Sequence, residues 1–415
     1  MGQRHPLSRL IAAAAILTLA AGAPAQESSS EPDTRAAIIM AKRREKAAAA
    51  TPAEPDKVEK KLLILKERNV LQNFGGGVEG FFPKIGGVAT GQGFALGLQY
   101  NKSGLASGQL DLSTSASVTT SRSQLYHFSL KAPRLAGDLL ELGFLAEQRN
   151  LARVDFYGLG PESDLEDRTS FRLEDTNIGG SIAVKPFGRF VRAGFQGGIL
   201  NVNTGPGQRA NTPSTEELFS PSVIPGLADQ ADFLRGGPFV ELDFRDHPSG
   251  PRAGSYFSAA YNFFNDRNLG RHDFRELDME AQQYIPFFAK KRVIVLRARS
   301  VFTYADGDQT VPFYLKPWIG GPRELRGFRN YRFYDDNVLV LNAEYRWEAF
   351  SGLDMALFFD AGKVVAKRNM FQLKEMETTA GIGFRFNVRN ATFIRFDVAF
   401  SHESARLWIR FGSPF

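Results

Sequence analysis

In GGPRELRGFRNYRF, Gly320 to Phe333, arginine recurs at every third position, as Arg323, Arg326, Arg329 and Arg332, with Glu324 the only acid. A guanidinium group stays charged and presents a planar fork of donors that fits carboxylate or phosphate oxygens two at a time. So many forks in one short stretch call for anions: acidic side chains of the same chain, anionic lipopolysaccharide, or nucleic acid. Other chemistry is thinly supplied. His127, His247, His272 and His402 fall in separate segments without metal-ligand spacing. His247 stands beside Pro248 and reads as a turn residue rather than a base. Neither a nucleophile elbow nor a glycine-rich phosphate cradle is found. The expectation is a protein that is not an enzyme and uses no cofactor or metal. A catalytic group assembled across strands has no support in the sequence.

The first 25 residues read as a secretory signal peptide. Arg4 and Arg9 supply the basic flank, LIAAAAILTLAAG the apolar core, and Ala23-Pro24-Ala25 the small residues of a cleavage site. The apolar run is too short to span a bilayer as a helix. Without the two leader arginines the net charge falls from +6 to +4, a mild excess that gives little support to nucleic-acid binding. The chain has no cysteine, which excludes a lipid anchor on an acylated cysteine. Residues 26–72 are rich in Ala, Lys, Glu and Pro and read as a periplasmic tail. VEKKLLILKERNVL is its one short amphipathic helix, with Val58, Leu62, Leu65 and Asn69 on one face.

From about residue 73 to residue 415 the pattern has a period of two. In NVLVLNAEYRWE, one parity gives Leu339, Leu341, Ala343, Tyr345 and Trp347, and the other Asn342, Glu344, Arg346 and Glu348. Successive strand residues point to opposite faces, so one face is apolar and the other charged. Ile394, Phe396, Val398 and Phe400 oppose Arg395 and Asp397 in the same way. Ile382, Phe384 and Phe386 oppose Arg385 and Asn387. Charges of both signs at mid-strand suit a wet lumen, and aromatic residues near strand ends suit a membrane girdle.

About sixteen such segments can be counted, an even number as in closed bacterial barrels. The fold class expected is therefore all-β, a transmembrane antiparallel barrel. Its strands are expected near 74–83, 89–101, 105–118, 123–132, 138–157, 169–186, 188–203, 231–245, 254–265, 271–286, 290–305, 338–349, 352–362, 374–388, 391–401 and 404–415. Short links then fall on the periplasmic side and the long links 158–168, 204–230, 306–337 and 363–373 outside. The arginine stretch lies in the third of these, between the eleventh and twelfth strands.

Several pieces in order carry a resemblance: RDHPSGPRAG at Arg245–Gly254, GGPRELRGF, LNAEYRW, ALFFDAGKV and the terminal Phe415. Together they resemble the bacterial surface antigen barrels of the BamA/TamA type, in the outer-membrane protein 85 superfamily. The resemblance spans about 240–415 and more loosely extends to about 74. It implies that the arginine loop folds inward, with an Arg-Gly-aromatic tip at Arg326, Gly327 and Phe328. Parity places Glu344, Phe358, Asp360 and Gly362 on the lumenal face, so Arg326 is expected against Asp360, Glu344 or both. Gly327 is expected to allow a sharp turn, and Phe328 to pack on Phe358. The alternatives are a solvated loop meeting lipopolysaccharide, and an Asp360 that merely lines a wet pore.

The resemblance implies a location in the bacterial cell outer membrane and work in membrane protein assembly or protein translocation, on polypeptide or lipid, rather than bond chemistry. The device would be a lateral seam between first and last strands, here Gly75, Gly76, Gly77 and Gly80 against the strand ending at Phe415. Those glycines read equally as easing curvature. The chain departs from full-length members in having no room for periplasmic polypeptide-transport-associated repeats. Outer-membrane lipid, lipopolysaccharide and periplasmic or lipoprotein partners are expected, and nucleic acid is not. Two other readings stay open: a passive or gated pore plugged by the arginine loop, and a structural or adhesive surface barrel.

Overall fold

The computed structural model describes residues 80–89, 91–388, 391–412 and 415. The leader, the tail and Gly75, Gly76 and Gly77 lie outside the described residues. The strands are β1 (Phe81–Gly86), β2 (Ala95–Gly104), β3 (Leu110–Thr119), β4 (Gln124–Leu135), β5 (Leu140–Phe156) and β6 (Thr169–Val184). There follow β7 (Val191–Pro206), β8 (Asp232–Asp243), β9 (Gly254–Asp266), β10 (Phe274–Phe287) and β11 (Arg292–Ala305). A two-residue ladder, β12 (Trp318–Ile319) with β13 (Phe333–Tyr334), forms inside the long loop that comes next. The last five are β14 (Asn337–Phe350), β15 (Leu353–Val365), β16 (Glu377–Val388), β17 (Ala391–Phe400) and β18 (Ala405–Phe411).

Apart from the β12–β13 ladder, the strands form one sixteen-stranded antiparallel sheet in which each pairs with its chain neighbours. The sheet curls into a barrel. A side chain placed on Gly86 of β1 would lie 4.0 Å from the Phe411 ring of β18, so the two edges face each other. Alternation decides which way each strand turns. Leu357 and Phe359 are half exposed on the outside while Phe358 and Asp360 are buried, and the same split runs through Ile294 and Leu296 against Val295 and Arg297. Outward Phe, Leu and Ile side chains recur around the wall, as Phe144, Ile182, Phe195, Leu234, Phe263, Ile382, Leu407 and Ile409. Such a belt is stable only against hydrocarbon, which also fixes the register, because a one-residue slip would expose the lumenal charges to lipid.

The sixteen expected strands are all present, with two corrections at the seam. β1 is described from Phe81, since residues 74–79 of the expected strand lie outside the described residues, and Gly80 holds a left-handed backbone (φ 95°) and forms a turn rather than part of the strand. A side chain at Gly80 would also meet the Asn101 carbonyl oxygen at 2.7 Å. At the other edge β18 stops at Phe411, because Gly412 is again left-handed (φ 83°). Phe415 then lies in the lumen, packed beside Tyr284, Val293 and Val295. It is not the outward-facing end of a strand.

The interior is divided. Toward the outer end Leu151, Phe156, Phe171, Phe233, Phe313 and Tyr334 belong to one buried apolar cluster that spans β5 to β10 and the long loop. Below it, against the N-terminal strands, a polar cavity of about 690 Å³ is lined by residues such as Asp111, His127, Lys131, Asn177 and Arg235. Against the C-terminal strands the loop itself occupies the interior, beside a second cavity of about 760 Å³ lined by Arg323, Glu324, Arg410 and Phe415, among others.

Leu357→Arg, on the lipid face of β15, is expected to lower barrel stability by about 2–4 kcal/mol, and Leu357→Phe to be near neutral. Denaturant unfolding in phospholipid vesicles, followed by gel migration of the folded form, checks this.

Candidate functional site

β14 and β15 supply the acidic wall. Their register sets Asn342 opposite Asp360 and Glu344 opposite Phe358, all on the lumenal face. The long loop turns inward and brings Arg326 onto this wall. Its Nε and Nη2 donate to Oδ2 and Oδ1 of Asp360 at 2.9 and 2.6 Å, a two-pronged contact. Its backbone N–H adds a third bond to Oδ2 at 3.2 Å, and Nη1 donates to Glu344 Oε2 at 2.7 Å. The guanidinium carbon lies 3.4 Å above the centre of the Phe358 ring, so the cation is also held by an aromatic face. Arg326, Glu344 and Asp360 are each at most 1% exposed.

Taking these charges out of water costs several kcal/mol per ion, so the arrangement requires near-complete pairing. Glu344 also accepts from Arg346 Nε at 2.7 Å and from Arg385 Nη2 at 3.0 Å. Arg385 in turn reaches Asp397 at 2.6 Å. A second network adjoins the first. Arg297 donates to Glu280 at 2.9 Å, to Glu324 at 3.2 Å and to Asn342 Oδ1 at 2.9 Å. Asn342 joins the two, because its Nδ2 donates to Asp360 at 2.9 Å and to the Glu324 carbonyl at 2.9 Å.

The four loop arginines take different roles. Arg326 is the buried one that holds the tip. Arg332 pairs with Glu403 at 2.6 Å and donates to Ser163. Arg323 is largely exposed and 3.5 Å from Glu280. Arg329 is half buried and has no ion pair among the described residues.

One expected detail is corrected and another extended. Phe328 does not pack on Phe358. Its ring meets Phe333 and His402, within a buried cluster that includes Leu325, Val338 and Val364, while Phe358 is covered by the guanidinium. Gly327 does lie in a turn, closed by the Phe328 N–H donating to the Leu325 carbonyl at 3.1 Å. It is also needed for space, since a side chain there would meet Thr379 and Ser401 at 2.9 and 2.8 Å. Gly362 has a similar role, with Leu325 and Ile319 packed where its side chain would be.

Asn342, Arg385, Trp408 and Gly381 were not singled out from the sequence. Trp408 of β18 donates from Nε1 to the Arg326 carbonyl at 2.6 Å. Gly381 leaves room for Phe358, whose ring would lie 2.4 Å from a side chain there. Lumenal parity was the available signal for Asn342, Arg385 and Trp408. It marks many residues, and does not say which of them the loop touches.

At the other end of the barrel, RDHPSGPRAG forms a tight turn. Asp246 accepts from the backbone N–H groups of His247, Arg252 and Ala253 at 3.0, 3.0 and 3.1 Å, and pairs with Lys290 at 3.0 Å. Burial would raise its pKa, but the Arg252 amide, Lys290 and the Ala253 amide outweigh burial and hold the carboxyl below its usual range. Arg252 reaches across the lumen to Asp354 at 2.6 Å.

This is an outer-membrane β-barrel whose lumen is held by a buried arginine. Residues 90–407 match the Omp85 superfamily domain, and the chain belongs to the Omp85 superfamily. The BamA structure from Haemophilus ducreyi lacking POTRA domains 1–3 has the same fold. It is 14% identical with a TM-score of 0.59, over 85% of this chain and 77% of that one. CdiB from Acinetobacter baumannii and CdiB from Escherichia coli are 14% and 12% identical, with TM-scores of 0.47 and 0.49. Each aligns over 79% of this chain, and over 57% and 60% of its own length respectively. No curated protein is matched by sequence.

Arg326→Ala leaves two buried carboxylates short of a partner and is expected to cost about 3–5 kcal/mol. Arg326→Lys keeps the charge without the fork and should fall between Ala and the native chain. Thermal unfolding gives the cost, and the rate of trypsin cleavage after Arg329 reads release of the loop. An Arg326→Ala and Asp360→Ala double variant should lose less than the two single losses added together.

Proposed function

We propose that this barrel inserts or translocates polypeptide, or lipid, at the outer membrane by opening sideways between β1 and β18, and that it does no bond chemistry. One observation carries the reading. Every other pair of adjacent barrel strands is joined by an antiparallel ladder, interrupted in places by a bulge, but β1 and β18 share no ladder among the described residues. They are also short, at six and seven residues. Facing edges without mutual pairing keep backbone donors and acceptors that an incoming strand can take up. Parting these two edges would cost this barrel little, whereas parting any other pair would break a ladder of backbone hydrogen bonds.

In this reading the arginine loop is the lock that keeps the C-terminal wall rigid while the seam moves. Family membership supports action on proteins at the outer membrane in general. The choice between polypeptide and lipid rests on this proposal alone.

A plugged pore is the second reading, and the polar cavity beside the N-terminal strands favours it. Planar-bilayer recording separates the two. A large steady conductance that grows in Arg326→Ala supports the pore. For the seam, a cysteine pair at Gly86 and Phe411 should form a disulfide in the folded barrel. Locking it is expected to abolish activity in a membrane-insertion assay, with recovery on reduction. Full activity of the locked, folded barrel would sink the opening-seam mechanism.

A further inference from the structure

Between β15 and β16 the chain makes an outer link, residues 366–376, that no part of the loop lock uses. It lies at the same end of the barrel as the mouth of the arginine loop, which is the end of the long connections. It folds down over the lipid-facing side of β11. Phe371 meets the outward ring of Phe302 edge-on, with centroids 5.9 Å apart. Arg368 stacks on the outward Tyr304 at 4.2 Å and donates to its hydroxyl at 3.2 Å. Tyrosine and arginine pairs of this kind belong at the height of lipid headgroups, where an apolar body and a polar tip are both satisfied.

The composition of the link is two-sided. Met370 and Leu373 are 52% and 75% exposed, and Leu373 is the most exposed large hydrophobic among the described residues. Beside them stand Lys363, on the lipid-facing parity of β15, and Lys367, Arg368 and Lys374. Lys363 is 3.6 Å from Glu375, but Lys367, Arg368 and Lys374 have no ion pair among the described residues. Other acids at the site are occupied: Asp306 pairs with Arg275, and Asp336 with Lys316.

Under the link is a cleft of about 760 Å³ lined by Thr303, Tyr304, Asn337, Lys367 and Arg368, among others. Asn337 is 2% exposed. Its Nδ2 donates to the Val365 and Ala366 carbonyls at 3.1 Å, but its Oδ1 has no hydrogen-bond partner among the described residues. A buried acceptor without a donor, in a cleft of this size, is complementary to a hydroxyl or amide of a ligand.

We propose that residues 363–374 with Tyr304 and Asn337 form a binding site for a phosphorylated glycolipid of the outer leaflet. Lys367 and Arg368 take the phosphate, Asn337 Oδ1 takes a sugar hydroxyl or amide, and Met370 and Leu373 enter the acyl layer. Charge complementarity selects an anionic head, the free acceptor selects a hydroxylated one, and the exposed apolar residues select a lipid over a soluble phosphate. The site needs only the barrel and its membrane, and is independent of whether the seam opens.

The test uses the full chain, purified in detergent and mixed with a bisphosphorylated diglucosamine lipid, with bound lipid counted by native mass spectrometry. The site predicts a retained adduct. Lys367→Gln with Arg368→Gln should weaken it about tenfold or more, and removal of the lipid's phosphates should weaken it to the same degree. Leu373→Ser should also weaken it, while gel migration reports that each variant remains folded. Unchanged binding by the folded glutamine variant, or equal binding of the dephosphorylated lipid, would overturn the assignment. Full competition by millimolar inorganic phosphate would do so too, since it would make this a site for the free ion. Equal retention of a phosphatidylethanolamine would show only nonspecific lipid adhesion, and would count against it.

Discussion

A guanidinium group without water is the constraint from which the rest of this barrel follows. Arg326 sits where no solvent can compensate its charge, so the wall must supply carboxylates in a fixed geometry. Asp360 meets the fork, Glu344 meets the remaining arm, and Phe358 closes the face of the cation. Glu344 then has to be shared with Arg346 and Arg385, and Arg385 with Asp397, so the demand passes across four strands, β14 to β17. None of these groups could be removed alone without leaving a buried charge unmatched. Such a network adds little net stability compared with an apolar core. It does impose a single position on the loop, because this placement brings all three nitrogens of the Arg326 guanidinium to carboxylates.

The two halves of the interior therefore differ in kind. The C-terminal strands carry the long charged side chains that engage the loop, and small residues such as Gly362 and Gly381 where the loop or Phe358 must come close. The N-terminal strands face the polar cavity, and among the described residues β5 to β7 meet the long loop only in the apolar cluster toward the outer end. Their lumenal positions are often Ser, Gly and Asn, as with Ser129, Gly143, Asn177 and Gly179. The barrel is thus braced on one side of the seam and hydrated on the other.

Much of this was legible in the sequence because a lipid-facing strand cannot hide its parity. Leu339 to Trp347 against Asn342 to Arg346 gives the faces directly, and the same rule puts Asp360 and Glu344 inside. That made Arg326 the natural partner once the loop was taken to fold inward. The ends of the sheet were harder. Gly80 and Gly412 take left-handed backbones whose only sequence sign is that they are glycine, in a chain with forty glycines. The contact of Phe328 was missed for a related reason. Alternation orders residues within a strand, but the side chains around Phe328 come from the loop itself, from β14 and β15, and from the turn at His402. Parity has no say in such an assembly. The lipid-side link after β15 was also passed over, since irregular backbone has no period to read.

The pattern of β18 limits how its edge can travel. Arg406, Trp408 and Arg410 face inward while Leu407, Ile409 and Phe411 face the bilayer, and Trp408 is tied to the Arg326 carbonyl. A slide of one residue along β17 would turn two arginines and an indole N–H into hydrocarbon. The smallest tolerable step is two residues, about 6.8 Å, and even that step must first detach the indole from the loop. This edge behaves as a ratchet with coarse teeth: it holds its notch, jumps a full repeat, or comes away from its neighbour entirely.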